Sequence, residues 1–247
     1  MKTLDLSFSE PALNLACDEV LLDEVNSGNR EPTLRFWESP SLFVVVGYGN
    51  DIERECQTQA CQKLGIPILR RSSGGGTVLQ GPGCLNYSLI LQIADNEKTG
   101  NIGTTNCHVM RTNRDALGQA LGQAIEIEGH TDLAIDGVKF SGNAQRRKRD
   151  ALLFHGTILL AFDLPLIGQA LRLPSSEPDY REGRSHETFC RNIPLTPEVV
   201  KQALGQSWLC GGQAPPIDAG KVQRLAGEKY SRPDWIHRRA KRSQASE

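Results

Sequence analysis

Long apolar runs, a paired set of cysteines and any excess of charge are missing from this sequence of 247 residues. No stretch approaches the roughly 18 apolar residues that a membrane span requires. The N-terminus, MKTLDLSFSEPALNLACDE, carries acids where a signal peptide needs a clean apolar segment. Twenty-eight Lys and Arg against 29 Asp and Glu leave a net charge of -1, with no basic surplus to draw nucleic acid or an anionic membrane. The seven cysteines (Cys17, Cys56, Cys61, Cys84, Cys107, Cys190 and Cys210) are odd in number and form no CxxC pair. That excludes an even disulfide framework and a clustered zinc site, and it predicts reduced thiols and no protein-bound metal. No internal repeat is present. What remains is a chain of mean hydropathy -0.37, long enough to bury a substantial core and expected in the cytoplasm.

Hydrophobic periodicity places the elements. Leu13, Leu15, Ala16, Val20, Leu21, Leu22 and Val25 fit one helix face from Pro11, leaving Asp18, Glu19, Asp23 and Glu24 to the wet side. Thr33–Trp37 and the continuous apolar run Leu42–Val46 read as strands, the second buried on both faces. Ile52–Leu64 reads as one helix, and Ile68–Arg71 and Asn86–Ile93 as strands. Glu97–Asn106 reads as a loop and Cys107–Gln123 as a weakly patterned helix. Two alternating segments, Ile125–Glu128 and Asp132–Ile135, precede the turn dipeptide Asp136-Gly137, and Leu152–Ala161 is a further strand. Strands of this density with few helices predict an α/β fold of the α+β type, a central mixed sheet flanked by helices.

Three stretches carry chemistry. In Arg70–Leu91, RRSSGGGTVLQGPGCLNYSLIL, three consecutive glycines offer backbone N–H groups to an anion, and the two arginines can complete the charge pairing. The same residues also suit a tight turn between strands with solvated arginines. Lys139 follows the tight turn and precedes Ser141-Gly142-Asn143, a small polar loop that could hold a ligand against it. It is either a strand-end lysine in water or a cation for charge developing on a phosphate or acyl oxygen. His155 lies in an apolar strand, as a satisfied core histidine or as a ligand or base. The run Arg146-Arg147-Lys148-Arg149 reads as a solvated face, or as one that steers an acidic partner.

Together, RRSSGGGTVLQGPG, DGVKFSGNAQ and FHGTILL, preceded by FVVVGYGNDIEREC, resemble the lipoate–protein ligase family, related to the biotin ligases and octanoyl transferases. The resemblance covers roughly Pro11 to Leu164 and is weaker through KYSRPDW at Lys229 to Trp235. It implies a biotinyl/lipoyl ligase catalytic domain over residues 1–194 with a short helical extension over 195–247, and the ligand in a bent tunnel. It implies ATP with Mg²⁺, activation of lipoate as lipoyl-adenylate, and transfer to a lysine of a carrier. That carrier is a glycine-cleavage H-like protein, a lipoate-binding protein or a dehydrogenase E2 lipoyl domain. Carried over by position, Arg71, Gly76, Thr77, Val78 and Leu79 hold the nucleotide and mixed anhydride. Gly74, Gly75, Gly142 and His155 hold lipoate, and Lys139 bridges carboxylate and α-phosphate.

The chain departs from that pattern in three places. Gln80 stands where many relatives have histidine, which suggests the subgroup serving lipoate-binding proteins of sulfur oxidation. The tail from Thr196 is too short for a full accessory domain, so either the tail or a separate subunit does its work. Arg181, Arg184 and His186, within PDYREGRSHETFCRN, either close over the site or cap the domain. Two other functions remain. An octanoyl or lipoyl transferase acting through a cysteine thioester without ATP needs an activated thiolate. Leu152 occupies one expected position, no cysteine lies in Glu126–Ile135, and Cys84 is the candidate left. A non-catalytic lipoate-binding module would bind without forming adenylate.

Overall fold

The computed structural model describes residues 1–93 and 98–238. Glu97 of the expected loop and residues 239–247 of the C-terminal extension lie outside the described residues. The chain begins β1 (Lys2–Asp5), α1 (Pro11–Asn26), β2 (Thr33–Trp37), β3 (Phe43–Val46), α2 (Ile52–Glu55) and α3 (Thr58–Lys63). It continues β4 (Ile68–Arg70), β5 (Val78–Gln80), β6 (Cys84–Gln92), α4 (Ile102–Leu121), β7 (Glu126–Glu128), β8 (Asp132–Ile135), β9 (Val138–Arg147) and β10 (Ala151–Leu159). It closes with α5 (Pro165–Ala170), α6 (His186–Phe189), α7 (Pro197–Ser207), α8 (Ala219–Leu225), a π turn (Ala226–Tyr230) and α9 (Pro233–Ile236). Among the described residues no helix is long and apolar enough to cross a membrane.

A seven-stranded sheet in the order β1-β2-β6-β10-β9-β8-β7 forms the centre, and a three-stranded sheet, β4-β3-β5, stands beside it. Parallel pairs β1–β2 and β3–β4 among antiparallel neighbours make both sheets mixed, as the strand density predicts. Side-chain alternation explains the layers. Leu85, Tyr87, Leu89 and Leu91 of β6, with Leu152, Phe154 and Ile158 of β10, meet α4 and α7 in one core. Ile90, Ala151 and Leu153 point the other way, where α1, Phe43 and Val45 of β3 and the tail residues Val222, Ala226 and Tyr230 form a second core. A third lies behind the small sheet, around Val44, Val46, Cys56, Ile167 and Leu171. Asp136 and Gly137, at φ 53° and 67°, make the two-residue turn that joins β8 to β9.

Several local expectations change. Ile52–Leu64 is two short helices, because the extended backbone of Cys56, at φ -114° and ψ 146°, interrupts it. The helix α4 starts at Ile102, inside the expected loop, because Asn101 and Thr104 form a reciprocal capping box. Ser141-Gly142-Asn143 is not a loop but the middle of β9. Asp18 and Glu19 are buried, not on the wet side of α1. Asp18 pairs with Arg35 at 2.6 Å, and Glu19 accepts from Arg146, Lys229 and Tyr230. The basic run is likewise engaged. Arg146 holds Glu19, Arg147 donates to the Thr99 carbonyl and Lys148 pairs with Asp23, while Arg149 is exposed.

Candidate active site

Arg70 and Arg71 leave β4 on opposite sides, as consecutive strand residues must. The Arg70 guanidinium donates to the carbonyls of Gly47, Asn50 and Ile236. Buried Arg71 turns inward and organises the glycine loop, donating to Gly74 O at 2.6 Å, Gly76 O at 2.7 Å and the Ser73 hydroxyl at 3.1 Å. Burial lowers its pKa to about 10, so it remains a cation at neutral pH. Gly75 sits at φ +85°, and a Cβ at Gly47 would lie 2.1 Å from the Gly75 carbonyl oxygen. Glycine at Gly47 is therefore a packing requirement of the loop. At Gly74 and Gly76 a Cβ would meet nothing, so these two face open space.

The space beside Gly76 belongs to a cavity of about 440 Å³ between the glycine loop and the large sheet, within the range of small-molecule sites. Arg71, Gly75, Gly76, Thr77, Val78, Leu79, Lys139, Gly142 and His155 all line it; Gly74 does not. Lys139 enters from β9, its Nζ 2.8 Å from Asp132 Oδ1. A Cβ at Gly142 would lie 2.8 Å from that Nζ, so the glycine leaves room for the lysine head. Tyr180 donates to the other Asp132 oxygen at 2.8 Å. The segment carrying Tyr180 closes the cavity: Arg181, His186, Phe189 and Cys190 line it, and Arg191 N donates to Lys139 O. Arg184 does the capping instead, donating to the Tyr180 and Gly137 carbonyls.

The floor is polar where the strands are otherwise apolar. Asn86 lies opposite Thr157, and Ser88 opposite His155, across the β6–β10 pair. Gln80 Nε2 donates to Thr157 Oγ1 at 2.6 Å, Thr157 donates to Asn86 Oδ1 at 2.7 Å, and Asn86 Nδ2 donates to Gln80 Oε1 at 2.9 Å. This closed triangle uses the Gln80 amide as both donor and acceptor, with a group that, unlike a histidine, does not titrate near pH 7. Asp132, Asn86, Ser88 and Thr157 were not singled out from sequence. The signal of Asn86, Ser88 and Thr157 is an interruption of polar residues at period two within apolar strands, which becomes legible once β6 and β10 are paired in register; Asp132, at the start of β8, gives no such signal.

His155 Nε2 lies 2.6 Å from the Ser73 hydroxyl. Burial, reinforced by Arg71, lowers its pKa from 6.5 to about 4, against the opposing pull of Asp18. His155 is thus neutral in the folded protein, whereas the unfolded chain takes up a proton below about 6.5. Its contribution is complete above pH 6.5 and is lost as pH falls from 6.5 toward 4, on the order of 3 kcal/mol in all. Urea unfolding across pH 4–7 should show this slope, and His155→Asn should remove it.

The family model for the lipoyl protein ligase A/B catalytic domain matches residues 10–204. The chain belongs to this lipoate–protein ligase family. The probable lipoate-protein ligase A of Mycoplasma pneumoniae is 30% identical over 179 residues, 72% of this chain and 51% of that protein. This chain therefore spans about half the length of that relative. The octanoyltransferase LipM of Moorella thermoacetica is 29% identical over 274 residues, 96% of this chain and 98% of that one. A lipoate-protein ligase A solved with bound ATP superposes with a TM-score of 0.81 at 23% identity, over 96% of this chain and 98% of that one. The lipoate ligase fold thus accounts for both sheets.

Proposed function

We propose that this chain is a lipoate–protein ligase, activating lipoate with ATP to lipoyl-AMP and passing the lipoyl group to a lysine of a lipoyl carrier domain. The observation that carries this reading is Lys139, a cation in the same cavity as the glycine loop with no activated thiol beside it. Attack of the lipoate carboxylate on the α-phosphate brings two anionic groups together, and a fixed cation between them is worth most where water is excluded. In this reading Gly76, Thr77, Val78 and Leu79 contact the nucleotide. Gly75, Gly142 and His155 contact lipoate, Gly74 shapes the loop, and Arg71 acts by holding that loop in place. Among the described residues no three His, Cys, Asp or Glu side chains converge as a metal cluster. Mg²⁺ arriving with ATP would take most ligands from water and phosphate and neutralise phosphate charge; of the cavity acids Glu55, Asp132 and Glu177, Asp132 lies beside Lys139 and would hold the ion only by releasing Lys139 or Tyr180.

The octanoyl transferase reading is favoured by one observation, the near-complete length match to the Moorella enzyme. Its thiol is the difficulty. Cys84 is buried, does not line the cavity, and burial pushes its pKa far up. Cys190 does line the cavity, yet burial raises its pKa too, despite Lys139 and Arg181. A raised pKa means little thiolate at neutral pH. Purified protein with ATP, Mg²⁺ and lipoate should release pyrophosphate and form lipoyl-AMP, and Cys84→Ala and Cys190→Ala should retain that activity within about twofold, the small effect expected of thiols with no chemical role. ATP-independent transfer from octanoyl-loaded carrier, abolished by either variant, would replace the ligase with the transferase. Ligand binding with neither reaction would indicate a binding module or a missing accessory subunit. All seven cysteines are unpaired, which suits a reducing, ATP-containing cytoplasm.

A further inference from the structure

Behind the glycine loop, on the side away from the cavity, the chain from Lys229 to Arg238 is fastened to the strand and turn that shape the loop. Trp235 Nε1 donates to Arg70 O at 2.9 Å, and Arg70 Nε donates back to Ile236 O at 2.9 Å. The Arg238 guanidinium lies 3.9 Å from the centre of the Tyr48 ring, and Trp235 packs against the same ring, tilted by 53° with centroids 5.8 Å apart. Tyr48 in turn donates its backbone N–H to Ser73 O at 2.9 Å, and its neighbour Gly47 packs against the Gly75 carbonyl. Tyr230 completes the fastening: its hydroxyl donates to Glu19 Oε2 at 2.5 Å. Lys229 pairs with the same Glu19 and lies over the Trp235 ring.

These contacts form one path from the tail, through Arg70 and the Gly47–Asn50 turn, to Ser73–Gly75. The tail itself lies beyond residues 10–204, the part matched by the family model. We propose that Lys229–Arg238 is a positioning strap that holds the glycine loop in its ligand-binding conformation, with Trp235 and Arg238 as its principal links. The strap touches neither the cavity nor Lys139. It acts on the fraction of molecules whose loop is ready to bind, so loosening it weakens apparent ligand affinity by that fraction and leaves the bound complex to react as before. This rests on the glycine loop being the ligand loop of the reading above.

Two full-length variants test it. Trp235→Phe keeps the ring and removes the N–H to Arg70; Arg238→Ala removes the cation from Tyr48. Each should raise KM for ATP in adenylate formation by about fivefold, the worth of one ordinary contact, with kcat within twofold, and the double variant should raise it further. Amide hydrogen exchange of the unliganded protein should quicken across Ser72–Val78, while α4 and β6 keep wild-type protection. A general loss of folding would instead quicken exchange throughout. Exchange across Ser72–Val78 unchanged in the double variant, or a fall in kcat at constant KM, overturns the strap. If the wild type makes no adenylate from ATP with lipoate or octanoate, the ligase reading fails. The exchange measurement still decides the strap, supporting it if the loop quickens and overturning it if not.

Discussion

Lys139→Ala should lower the rate of adenylate formation by about 10²–10³, the cost of removing one preorganised donor from a developing oxyanion. The loss should fall on kcat more than on KM for ATP, because the charge between carboxylate and phosphate is greatest in the transition state. Stability should fall by less than for a fully buried pair: Lys139 is 26% and Asp132 15% exposed, between an exposed pair at about 1 kcal/mol or less and a buried one at about 3–5 kcal/mol. Tyr180 continues to hold Asp132 after the change. Lys139→Arg should not restore the rate. The space that receives the ammonium is bounded by Gly142, whose Cβ position is already within 2.8 Å of Nζ, and a planar guanidinium is larger and differently shaped. Pyrophosphate release under saturating substrate, alongside a urea titration, separates these outcomes. Wild-type turnover in Lys139→Ala would remove the lysine from the chemistry.

The second large effect is on folding. Arg35 is fully buried and spends its guanidinium on Asp18 Oδ1 at 2.6 Å, Asn14 Oδ1 at 2.8 Å and the Asn14 and Leu6 carbonyls. Arg35→Leu leaves the Asp18 carboxyl buried with the Ser88 hydroxyl, at 2.8 Å, as its remaining close donor. Breaking a buried pair by removing one partner costs about 3–5 kcal/mol, a large share of the roughly 5–15 kcal/mol that stabilises a domain. The urea midpoint should fall accordingly. Arg35→Leu combined with Asp18→Asn should recover part of the loss, because the unpaired charge is gone. Equal instability of the single and double variants would show that packing, not the stranded carboxylate, sets the cost. Asp18 also lies 3.9 Å from His155 Nδ1, so this network reaches the cavity floor.

Much of the site was legible in the primary sequence because its signals are local. Three glycines after a short strand, a lysine two residues beyond an Asp-Gly turn, and a histidine inside an apolar strand each announce a conformation or an anomaly without reference to distant chain. The strands were legible for the same reason: alternation and continuous apolar runs are properties of a few adjacent residues. Sequence alone thus determined the mixed sheet, the glycine loop and the candidate cation. The partners of buried polar groups were not legible, because folding brings them from far away. Asp18 reads as a wet-face acid until Arg35 and Ser88 are placed around it. Asn86 and Thr157 read as ordinary strand residues until the β6–β10 register sets them opposite each other beneath Gln80. Adjacent Arg70 and Arg71 look equivalent, yet the strand pleat sends one outward to the tail and the other inward to the loop. Those assignments belong to the tertiary structure, for a physical reason: a buried charge or amide is tolerable only when its hydrogen-bonding capacity is met, and the groups that meet it here lie up to 211 residues away.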